Sequence, residues 1–415
     1  MIASVITLGC KVNEYESQSI LNQLKSNGYE IHEGLVPADV YIVNTCAVTN
    51  IAERKSRQVL AKIHKLNENA KIVLCGCAVQ NNPTQFLKNK NVIAITGSEG
   101  KQDIMKFINS KNLELPDLYD AKYINMPRPI STRTRQFIKI QDGCNNFCTY
   151  CIIPYLRGRS RSRDLEDILD EIKHTDSNEI VLTGIDMSDY KINGVNALKT
   201  LVREVDKLNI RFRISSLECN VIDEDLLDTL AQSKHFCPHF HLSLQSACNA
   251  TLRRMNRHYT IEEFIRKVDL IRSRFENPCI STDIIVGFKG ETDEEFSNTL
   301  ENLKKIKFDF MHIFPYSERA GTVAMKLKGA VDKKVMKDRE NILQELNHQF
   351  KSNFYKRNIH TKHKVLVELV DGNYSLGYTD NYIYTYIEGC LPVGSIVDIR
   401  LDDVYLNGMK GNIIS

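Results

Sequence analysis

The segment FIKIQDGCNNFCTYC, residues 137–151, places three cysteines directly behind a strand-like run. Thiolates are the usual protein ligands of iron–sulfur clusters. Cys144, Cys148 and Cys151 supply three thiolates, so a four-iron cubane would keep one iron open to another ligand. The alternative is a zinc site, but zinc generally takes four ligands, commonly in two separated pairs, and no fourth ligand is obvious nearby. The segment therefore predicts a [4Fe–4S] cluster with one open iron.

Strand-like and helical stretches alternate from residue 136 to about residue 327. The strand-like runs are FIKIQDG, EIVLTGID, RFRISSLE, HFHLSLQS, CISTDIIVGF and FDFMHIFPYS. Six strand–helix repeats predict a barrel or partial barrel, with the chemistry at the carboxyl ends of the strands. The cysteine loop follows the first of these strands.

The first 110 residues or so alternate in the same way, which predicts a parallel sheet. Cys10, Cys46 and the pair Cys75 and Cys77 follow the runs SVIT, VYIV and KIVL. Ligands of such sheets bind beyond the carboxyl ends of the strands. We therefore expect Cys10, Cys46 and Cys77 to converge there; the alternative is that they are ordinary buried cysteines.

The expected architecture is α/β with three units. The predicted divisions are an N-terminal domain over residues 1–112, a proline-containing linker over 113–135, a barrel with a following helix over 136–356, and a module over 357–415. The last module has no helical period; its strand-like runs, separated by glycines, predict a small all-β fold.

Composition sets broad limits on function. The chain of 415 residues has a net charge of only +3, so any nucleic-acid surface must be local. No apolar run approaches a membrane span, and the start MIASVITLGC lacks a signal-peptide pattern, so we expect a cytoplasmic protein without a membrane partner. Twelve cysteines in that compartment favour metal ligation over disulfides.

The CxxxCxxC spacing, with Tyr150 before the last cysteine, resembles the radical S-adenosylmethionine superfamily. The resemblance implies that the open iron binds the amino and carboxylate groups of S-adenosylmethionine. It also implies that one-electron reduction, from an external donor, releases a 5′-deoxyadenosyl radical.

The flanks of the N-terminal cysteines, TLGCKVNEYES, VNTCAVTN and CGCAVQ, closely resemble the methylthiotransferase family. That resemblance implies an auxiliary [4Fe–4S] cluster held by Cys10, Cys46 and Cys77, with Cys77 favoured over Cys75 because it matches Gly-Cys-x-x-Gln. The resemblance covers nearly the whole chain. It also implies that the last module is similar to TRAM, a module with which family members contact RNA. Five other cysteines are interpreted as ordinary small residues without a ligand role; they are Cys219, Cys237, Cys248, Cys279 and Cys390.

Within the family, GCKVNEYES with NTCAVTN is similar to the tRNA N6-threonylcarbamoyladenosine branch (MtaB type). The isopentenyladenosine branch tends toward GCQMN and the branch acting on a ribosomal protein toward GCPKN. Two departures from the family pattern are Cys219, where proline is frequent, and LSLQSAC in place of PLQSG. Both leave the local loop geometry in doubt, although Gln245 is kept.

Further S-adenosylmethionine contacts are expected from residues at the strand ends. They are Tyr150, Gly184, Asp186, Glu218 and Gln245. Any single carboxylate among them has the alternative of a solvated or structurally paired group.

Basic residues cluster beside the cysteine loop, and a solvated face is the ordinary explanation of such a run. Because this one flanks the site where an RNA phosphate would dock, we interpret it as an RNA contact. The all-β tail is acidic, so selected lysines are its candidate contacts. The candidates are Arg157, Arg159, Arg161, Arg163, Lys362 and Lys364.

The resulting hypothesis is a methylthiotransferase that modifies threonylcarbamoyladenosine beside the anticodon of tRNA. The sequence shows no acid–base pair and no zinc-bound water arrangement that could activate an aromatic C–H carbon. The alternatives are isopentenyladenosine in tRNA or a ribosomal protein as substrate and, more remotely, a non-catalytic iron–sulfur electron carrier.

Overall fold

A computed structural model describes residues 1–110, 115, 117–118 and 121–414 of the chain. The expected boundary between residues 112 and 113 lies outside these residues, as does Pro116 of the expected linker. The domain boundaries therefore remain predictions, whereas the three units themselves are described below.

The N-terminal unit is a five-stranded parallel sheet in the order β2-β1-β3-β4-β5. Its strands are β1 (Ile2–Thr7), β2 (Glu30–Glu33), β3 (Val40–Thr45), β4 (Lys71–Gly76) and β5 (Val92–Ile95), and its helices are α1 (Lys11–Ser26), α2 (Asn50–Leu66), α3 (Cys77–Asn81) and α4 (Ile104–Ser110). Strand β2 was not predicted, because its polar sequence EIHE at the sheet edge lacks an apolar pattern. The cysteine-bearing strands β1, β3 and β4 remain direct neighbours.

Helices cover both faces of this sheet, which explains the nearly continuous apolar run of β3. On one face Val40 and Ile42 pack with Ile20 of α1 and Ile104 of α4. On the other face the β3 side chains pack against α2. Burial on both faces makes the sheet a rigid support for the loops at its carboxyl edge.

The central unit is a partial barrel of parallel strands in two hydrogen-bonded sets, β12-β9-β6 and β13-β14-β15-β16. The predicted strand RFRISSLE forms both β12 and β13, which are separated only by Ser215 and so connect the two sets. The strands are β6 (Arg135–Lys139), β9 (Glu179–Thr183), β12 (Arg211–Ile214), β13 (Ser216–Leu217), β14 (His239–Gln245), β15 (Cys279–Val286) and β16 (Phe310–Pro315). The six predicted strand positions are thus confirmed.

Helices surround this barrel, and two of them, α10 and α11, begin with complete capping boxes, Thr260 with Glu263 and Thr292 with Glu295. The helices are α5 (Ile153–Arg157), α6 (Leu165–Lys173), α7 (Leu198–Asp206), α8 (Glu224–Gln232), α9 (Asn249–Arg254), α10 (Ile261–Arg274), α11 (Asp293–Ile306) and α12 (Lys333–Arg357). Two short antiparallel pairs complete the unit: β7 (Gln141–Asp142) with β8 (Arg161–Ser162), and β10 (Lys191–Ile192) with β11 (Val195–Asn196).

The C-terminal unit is a closed five-stranded barrel in the order β17-β18-β19-β21-β20. Its strands are β17 (Lys362–Asp371), β18 (Tyr374–Thr379), β19 (Tyr384–Glu388), β20 (Ile396–Tyr405) and β21 (Gly408–Ile413). It contacts the amino ends of the central strands: Arg213 of β12 donates to the carbonyl oxygens of Thr379 and Asp380, at 2.6 and 2.8 Å. The small barrel therefore lies at the edge opposite to the cysteine loop.

Among the described residues, no helix combines the length and the apolar composition needed to cross a bilayer.

Candidate active site

The loop that carries Cys144, Cys148 and Cys151 is held in one conformation by its backbone. Gly143 has a φ of +71°, and a Cβ there would lie 2.0 Å from the carbonyl oxygen of Arg159, so only glycine fits. The amide of Cys144 donates to Gly158 O at 3.2 Å, and the amide of Thr149 donates to Met255 O at 3.0 Å. The loop is thus attached to the segment after α5 and to the end of α9.

Polar groups contact two of the three thiols, those of Cys144 and Cys148. Arg257 Nη1 lies 3.2 Å from Cys148 Sγ, and the Asn146 amide lies 3.4 Å from Cys144 Sγ. All three cysteines are free. Burial raises the pKa of Cys151 to about 12, so a metal must displace its proton to bind the thiolate.

The second set of cysteines lies at the carboxyl edge of the N-terminal sheet. Cys10 precedes α1, Cys46 follows β3, and Cys77 begins α3 directly after β4. A Cβ on Gly9 would lie 2.9 Å from Cys46 Sγ, which shows how closely the chain before Cys10 passes Cys46. The structure therefore brings Cys10 next to Cys46, and Cys77 is near enough for its charge to act on the pKa of Cys46.

Side chains beside these cysteines tie the three strand ends together. Asn13 Nδ2 donates to Leu8 O at 2.7 Å and to Thr45 O at 3.1 Å. Thr45 Oγ1 donates to Cys75 O at 2.6 Å. These bonds connect β1, β3 and β4, so the spacing of the cysteine triad is fixed by the sheet.

Cys75 is oriented away from this triad. It is fully buried and packs with Val73, Ala94 and Ile104 on the α1 and α4 face of the sheet. Cys77 instead packs with the opposite core, beside α2. Strand β4 ends at Gly76, whose φ of +94° interrupts the strand, so Cys77 at the start of α3 faces the opposite core from Cys75. The choice of Cys77 as the ligand stays a prediction that this placement supports.

The arrangement of both triads fits a multi-iron cluster better than a single ion. Three thiolates on one zinc would lie about 3.8 Å apart, from a Zn–S bond of about 2.3 Å in tetrahedral geometry. Across the described part of the chain, the one group of three possible ligands that closes within 4.8 Å is His241, Asp283 and His312, which contains none of these cysteines. Neither cysteine triad is therefore as tight as a mononuclear site, and thiolates are the usual protein ligands of iron–sulfur clusters.

The two triads face each other across the boundary between the units. Helix α3, which starts at Cys77, packs against α5, which starts two residues after Cys151. Cys77 is near enough to raise the pKa of Cys151 by its charge. The structure therefore places the two triads near enough for a group bound at one triad to react with a group bound at the other.

A buried ionic network fixes this juxtaposition. Arg157 of α5 is 0% exposed and donates to Glu16 of α1 at 2.8 Å, to Asp142 at 3.1 Å and to Asn13 Oδ1 at 2.6 Å. Lys139 joins both carboxylates, at 2.8 and 2.6 Å. Burial alone would raise the pKa of Glu16, but these cations hold it well below its usual range. Glu16 therefore remains ionised at the centre of the interface.

The prediction of an RNA-binding arginine row is wrong for three of its four members. Arg157 belongs to the buried network, Arg161 is paired with Glu99 at 3.0 Å, and Arg163 is buried and paired with Glu171 at 2.6 Å. Their charges are neutralised inside the protein, so they present no cation to RNA. Arg159 is the exception; it is exposed and stacks on Phe147.

The two predicted lysines lie far from the cysteine loop. Lys362 and Lys364 are exposed on β17 of the C-terminal barrel. The carbonyl oxygen of Lys364 accepts a bond from Arg211 at the amino end of β12. The structure therefore leaves them accessible but at the opposite edge of the central barrel.

Most of the predicted S-adenosylmethionine contacts lie at the carboxyl edge near Cys144. Asp186 Oδ2 lies 3.6 Å from Cys144 Sγ and accepts from Asn146 at 2.8 Å. Burial, together with Glu218 and Asp189, raises the pKa of Asp186 to about 6. Asp186 and Glu218 line one small cavity with Asn146, whereas Gly184 lies beneath it, against Gln141.

The remaining two predicted contacts flank this region. The Tyr150 ring packs against Phe288, and its hydroxyl lies near enough to Cys148 and Glu218 for their charges to act on it. Gln245 ends β14 with a φ of +68°, at a register shift between β14 and β15. The left-handed backbone of Gln245 changes the direction of the chain at the carboxyl edge of the central barrel.

Sequence reasoning missed Arg257, which contacts Cys148, Glu218 and the carbonyl oxygen of Ser243 at once. It also missed Glu16 and Asn13 as the anchors of the interface. Arg257 is 109 positions from Cys148, and no motif marks it. For Asn13 and Glu16, the signal in the sequence was their place in the GCKVNEYES signature.

Comparisons with known proteins agree with this geometry. Residues 138–303 match the model of the radical SAM superfamily, and residues 3–97 match that of the uncharacterized protein family UPF0004. The threonylcarbamoyladenosine tRNA methylthiotransferase MtaB of Aquifex aeolicus is 37% identical over 95% of this chain and 98% of that relative. The protein of the same name from Bacillus subtilis is 35% identical over 95% and 92%.

A second group of relatives is named tRNA-2-methylthio-N(6)-dimethylallyladenosine synthase. The protein from Thermodesulfovibrio yellowstonii is 31% identical, with 99% of this chain and 98% of the relative covered. Among solved structures, the radical S-adenosylmethionine methyltransferase TsrM from Kitasatospora setae superposes with a TM-score of 0.56 over 76% of this chain and 72% of that chain. At 15% identity this likeness concerns the fold alone.

Two cysteine triads on a radical SAM barrel and an N-terminal sheet, together with full-length relatives at this identity, lead to one conclusion: the chain belongs to the methylthiotransferase family of radical S-adenosylmethionine enzymes.

Proposed function

We propose that the enzyme converts N6-threonylcarbamoyladenosine next to the tRNA anticodon to its 2-methylthio derivative. The observation that carries the proposal is the pair of facing cysteine triads, one on the barrel loop and one on the N-terminal sheet. The full-length relatives that carry the MtaB name support this substrate.

The substrate carbon explains the need for two triads. C2 of adenosine is an aromatic C–H carbon, which side-chain acids and bases do not activate. When bound, S-adenosylmethionine and the two [4Fe–4S] clusters supply the radical, the methyl group and the site at which sulfur is carried. The protein's task is therefore to hold these groups in a fixed relation and to exclude competing reactions.

Named side chains perform that task in our proposal. Cys144, Cys148 and Cys151 ligate the radical cluster, and Cys10, Cys46 and Cys77 ligate the auxiliary one. Arg257 donates a hydrogen bond to Cys148 Sγ, which tunes the sulfur electronically.

The Glu16–Arg157–Asp142 network holds the two units at one angle. Because the network is buried, relative motion of the units would separate its charged groups and leave them unpaired. We therefore expect the separation of the triads to be nearly constant during turnover.

The S-adenosylmethionine contacts are proposed from position and charge. Asp186 and Glu218 present carboxylates beside the open face of the Cys144 loop and suit an ammonium group or a ribose. Tyr150, Gly184 and Gln245 supply an aromatic ring and backbone at the same edge. An external one-electron donor is required, because reductive cleavage of S-adenosylmethionine consumes an electron that the protein's side chains do not supply.

For tRNA, the proposal places the anticodon stem-loop over the boundary between the N-terminal unit and the barrel. Arg159 and Phe147 form an exposed cation and ring beside the loop, suited to a phosphate or a base. Lys362 and Lys364 would serve the more distant parts of the stem.

The test is reconstitution with anticodon stem-loops that carry threonylcarbamoyladenosine, isopentenyladenosine or unmodified adenosine. With reductant and S-adenosylmethionine, we expect the methylthio product, identified by nucleoside mass analysis, from the first RNA only. Product from the isopentenyl RNA alone would contradict the proposal, and no product from any RNA would redirect it toward a ribosomal protein.

Matched variants separate the two triads. Cys151→Ala should abolish 5′-deoxyadenosine formation, whereas Cys77→Ala should retain it and lose sulfur insertion. Cys75→Ala is the control and should keep both activities. If no reduced preparation forms 5′-deoxyadenosine, the protein is an electron carrier instead.

A further inference from the structure

Two histidines and one aspartate meet on neighbouring strands of the central barrel. They are His241 of β14, Asp283 of β15 and His312 of β16. One ligand atom of each residue lies within 4.8 Å of those of the other two, a spacing that no second group of three possible ligands reaches among the residues that the structure describes. We call these three residues the histidine–aspartate group.

The register of the strands explains why these side chains meet. Asp283 and His312 are direct partners across β15 and β16, and His241 is the partner of Ser281. Because side chains alternate along a strand, Ser281 and Asp283 lie on the same face of β15. The other face of these strands packs in the hydrophobic core beneath the helices, through Leu242, Ile284 and Met311. The histidine–aspartate group therefore lies on the inner face of the barrel.

The ring of His241 has a partner at each nitrogen. Nδ1 lies 2.9 Å from Ser281 Oγ, and Nε2 lies 3.3 Å from Asp283 Oδ2. A hydrogen bond at the second ring nitrogen is typical of metal-binding histidines, because it fixes the orientation of the ring. Two ligand atoms of a tetrahedral zinc ion, with bonds of about 2.0–2.1 Å, lie about 3.3 Å apart. His241 and Asp283 are therefore spaced as two ligands of one ion.

His312 is the third and the most adjustable member of the group. Its ring lies 5.7 Å from the ring of His241, and its side chain is exposed. Rotation of an exposed side chain costs little and leaves the strand in place. His312 can therefore complete a three-ligand site without a change in the backbone of β16.

A cavity of about 530 Å³ gives access to the group. It lies between β16, α12 and the C-terminal barrel, and His312 forms part of its lining. Most of the lining is aromatic, and it contains no second histidine and no carboxylate. An ion on the histidine–aspartate group would therefore keep a coordination position open toward this cavity, as three-ligand zinc sites do for water or an anionic oxygen.

The donor atoms select the class of ion. Two imidazole nitrogens and one carboxylate oxygen suit Zn²⁺ and Fe²⁺. Mg²⁺ and Ca²⁺ prefer sites made of oxygen atoms alone. With both imidazoles neutral the group carries one negative charge, so a divalent ion is favoured over an anion.

Positive side chains nearby oppose the binding of a cation. Arg135 and Arg213 are both paired with Glu179, at 3.3 and 2.8 Å, which reduces their effect. The charge of Lys11 also acts on His312. Direct ligation must therefore hold the ion, because the surrounding charge does not attract it.

We propose that His241, Asp283 and His312 bind one divalent transition-metal ion of the class of Zn²⁺ on the inner face of the barrel. The site is distinct from both cysteine triads. Four residues of β14 separate His241 from Gln245 at the carboxyl edge, a rise of about 13 Å. The ion connects three neighbouring strands and exposes an open position to the aromatic cavity.

The test uses zinc as the probe and protein that has both iron–sulfur clusters reconstituted. After dialysis against a small excess of Zn²⁺, metal analysis should find about one zinc per chain beside about eight irons. X-ray absorption at the zinc edge should show nitrogen and oxygen neighbours at about 2.0–2.1 Å and no sulfur at about 2.3 Å.

Variants assign the zinc to the proposed residues. His312→Ala should lose the zinc and keep the iron, because its exposed side chain contributes little to packing. Ser281→Ala keeps all three ligands but loses the hydrogen bond to His241, so it should bind zinc about 10–100-fold more weakly. His64→Ala, an exposed histidine in the last turn of α2, is the control and should bind zinc as the unaltered protein does.

Two results would overturn the inference. Zinc–sulfur distances would place the ion in a cysteine triad. Equal zinc content in the unaltered protein and in His312→Ala would show that the group is a hydrogen-bonded cluster without a metal. Neither result concerns the methylthio product, so the proposed function is tested separately.

Discussion

Replacing Arg157 with alanine tests whether one buried ionic network holds the two cluster-bearing units together. Arg157 is fully buried and links Glu16 of the N-terminal unit to Asp142 of the barrel unit. The variant removes the cation and leaves both carboxylates in a water-poor interface. Because α1 and α5 meet through this network, the loss should fall on the interface and leave the core of each unit intact.

The magnitude follows from the partners that remain. Removing one member of a buried ion pair costs about 3–5 kcal/mol. Here Glu16 keeps Lys101 and Lys139, and Asp142 keeps Lys139, so neither carboxylate becomes wholly unpaired. We therefore expect the lower end, about 3 kcal/mol, which corresponds to roughly a hundredfold change in the interface-opening equilibrium.

Hydrogen exchange measures that opening directly. Slowly exchanging amides of α1 and α5 should exchange roughly a hundredfold faster in Arg157→Ala, while amides of β15 keep their rates. Arg159→Ala, two residues away but exposed, is the matched control and should change stability by less than about 0.5 kcal/mol. Equal exchange in α1 and α5 for the two variants would refute the role of the network.

Three further predictions concern the clusters. Cys77→Ala should lower the iron content of reconstituted protein from about eight to about four per chain, the values for two cubanes and one, whereas Cys75→Ala should keep the full content; equal losses would contradict the assignment. Gly76→Ala should destabilise the N-terminal unit and lower auxiliary-cluster occupancy, because its φ is +94° and a Cβ would lie 2.5 Å from Thr45 O; unchanged iron content and melting temperature would refute this. Arg257→Met should lower the reduction potential of the radical cluster in an EPR titration, since a hydrogen bond to Cys148 Sγ is lost; an unchanged potential would show that this bond does not tune the cluster.

Much of the fold was predictable because its signals are local. The alternation of strand-like and helical stretches predicted the parallel sheet and the partial barrel, and both are confirmed. The cysteine-bearing strands were identified correctly, since parallel strands deliver their carboxyl ends to one edge. Strand β2 was missed because its exposed EIHE sequence has no apolar period. The division of RFRISSLE into β12 and β13 at Ser215 was also missed, because it depends on which neighbouring strand each part pairs with.

The site was predictable only where its residues are close in sequence. The spacing of Cys144, Cys148 and Cys151 is itself the signal for a cluster loop. The charge run that contains Arg157 carried no information about burial, because its partner Glu16 lies 141 positions away. For the same reason a row of arginines that looked like an RNA surface is largely an interface between units.

The most direct test of the central claim is nucleoside mass analysis of tRNA from a strain that lacks this gene. We predict that the 2-methylthio derivative of threonylcarbamoyladenosine disappears and its unmethylthiolated precursor accumulates. Reintroduced Cys75→Ala should restore the derivative, whereas Cys77→Ala and Cys151→Ala should not. An unchanged level of the derivative in the deletion strain would contradict the account.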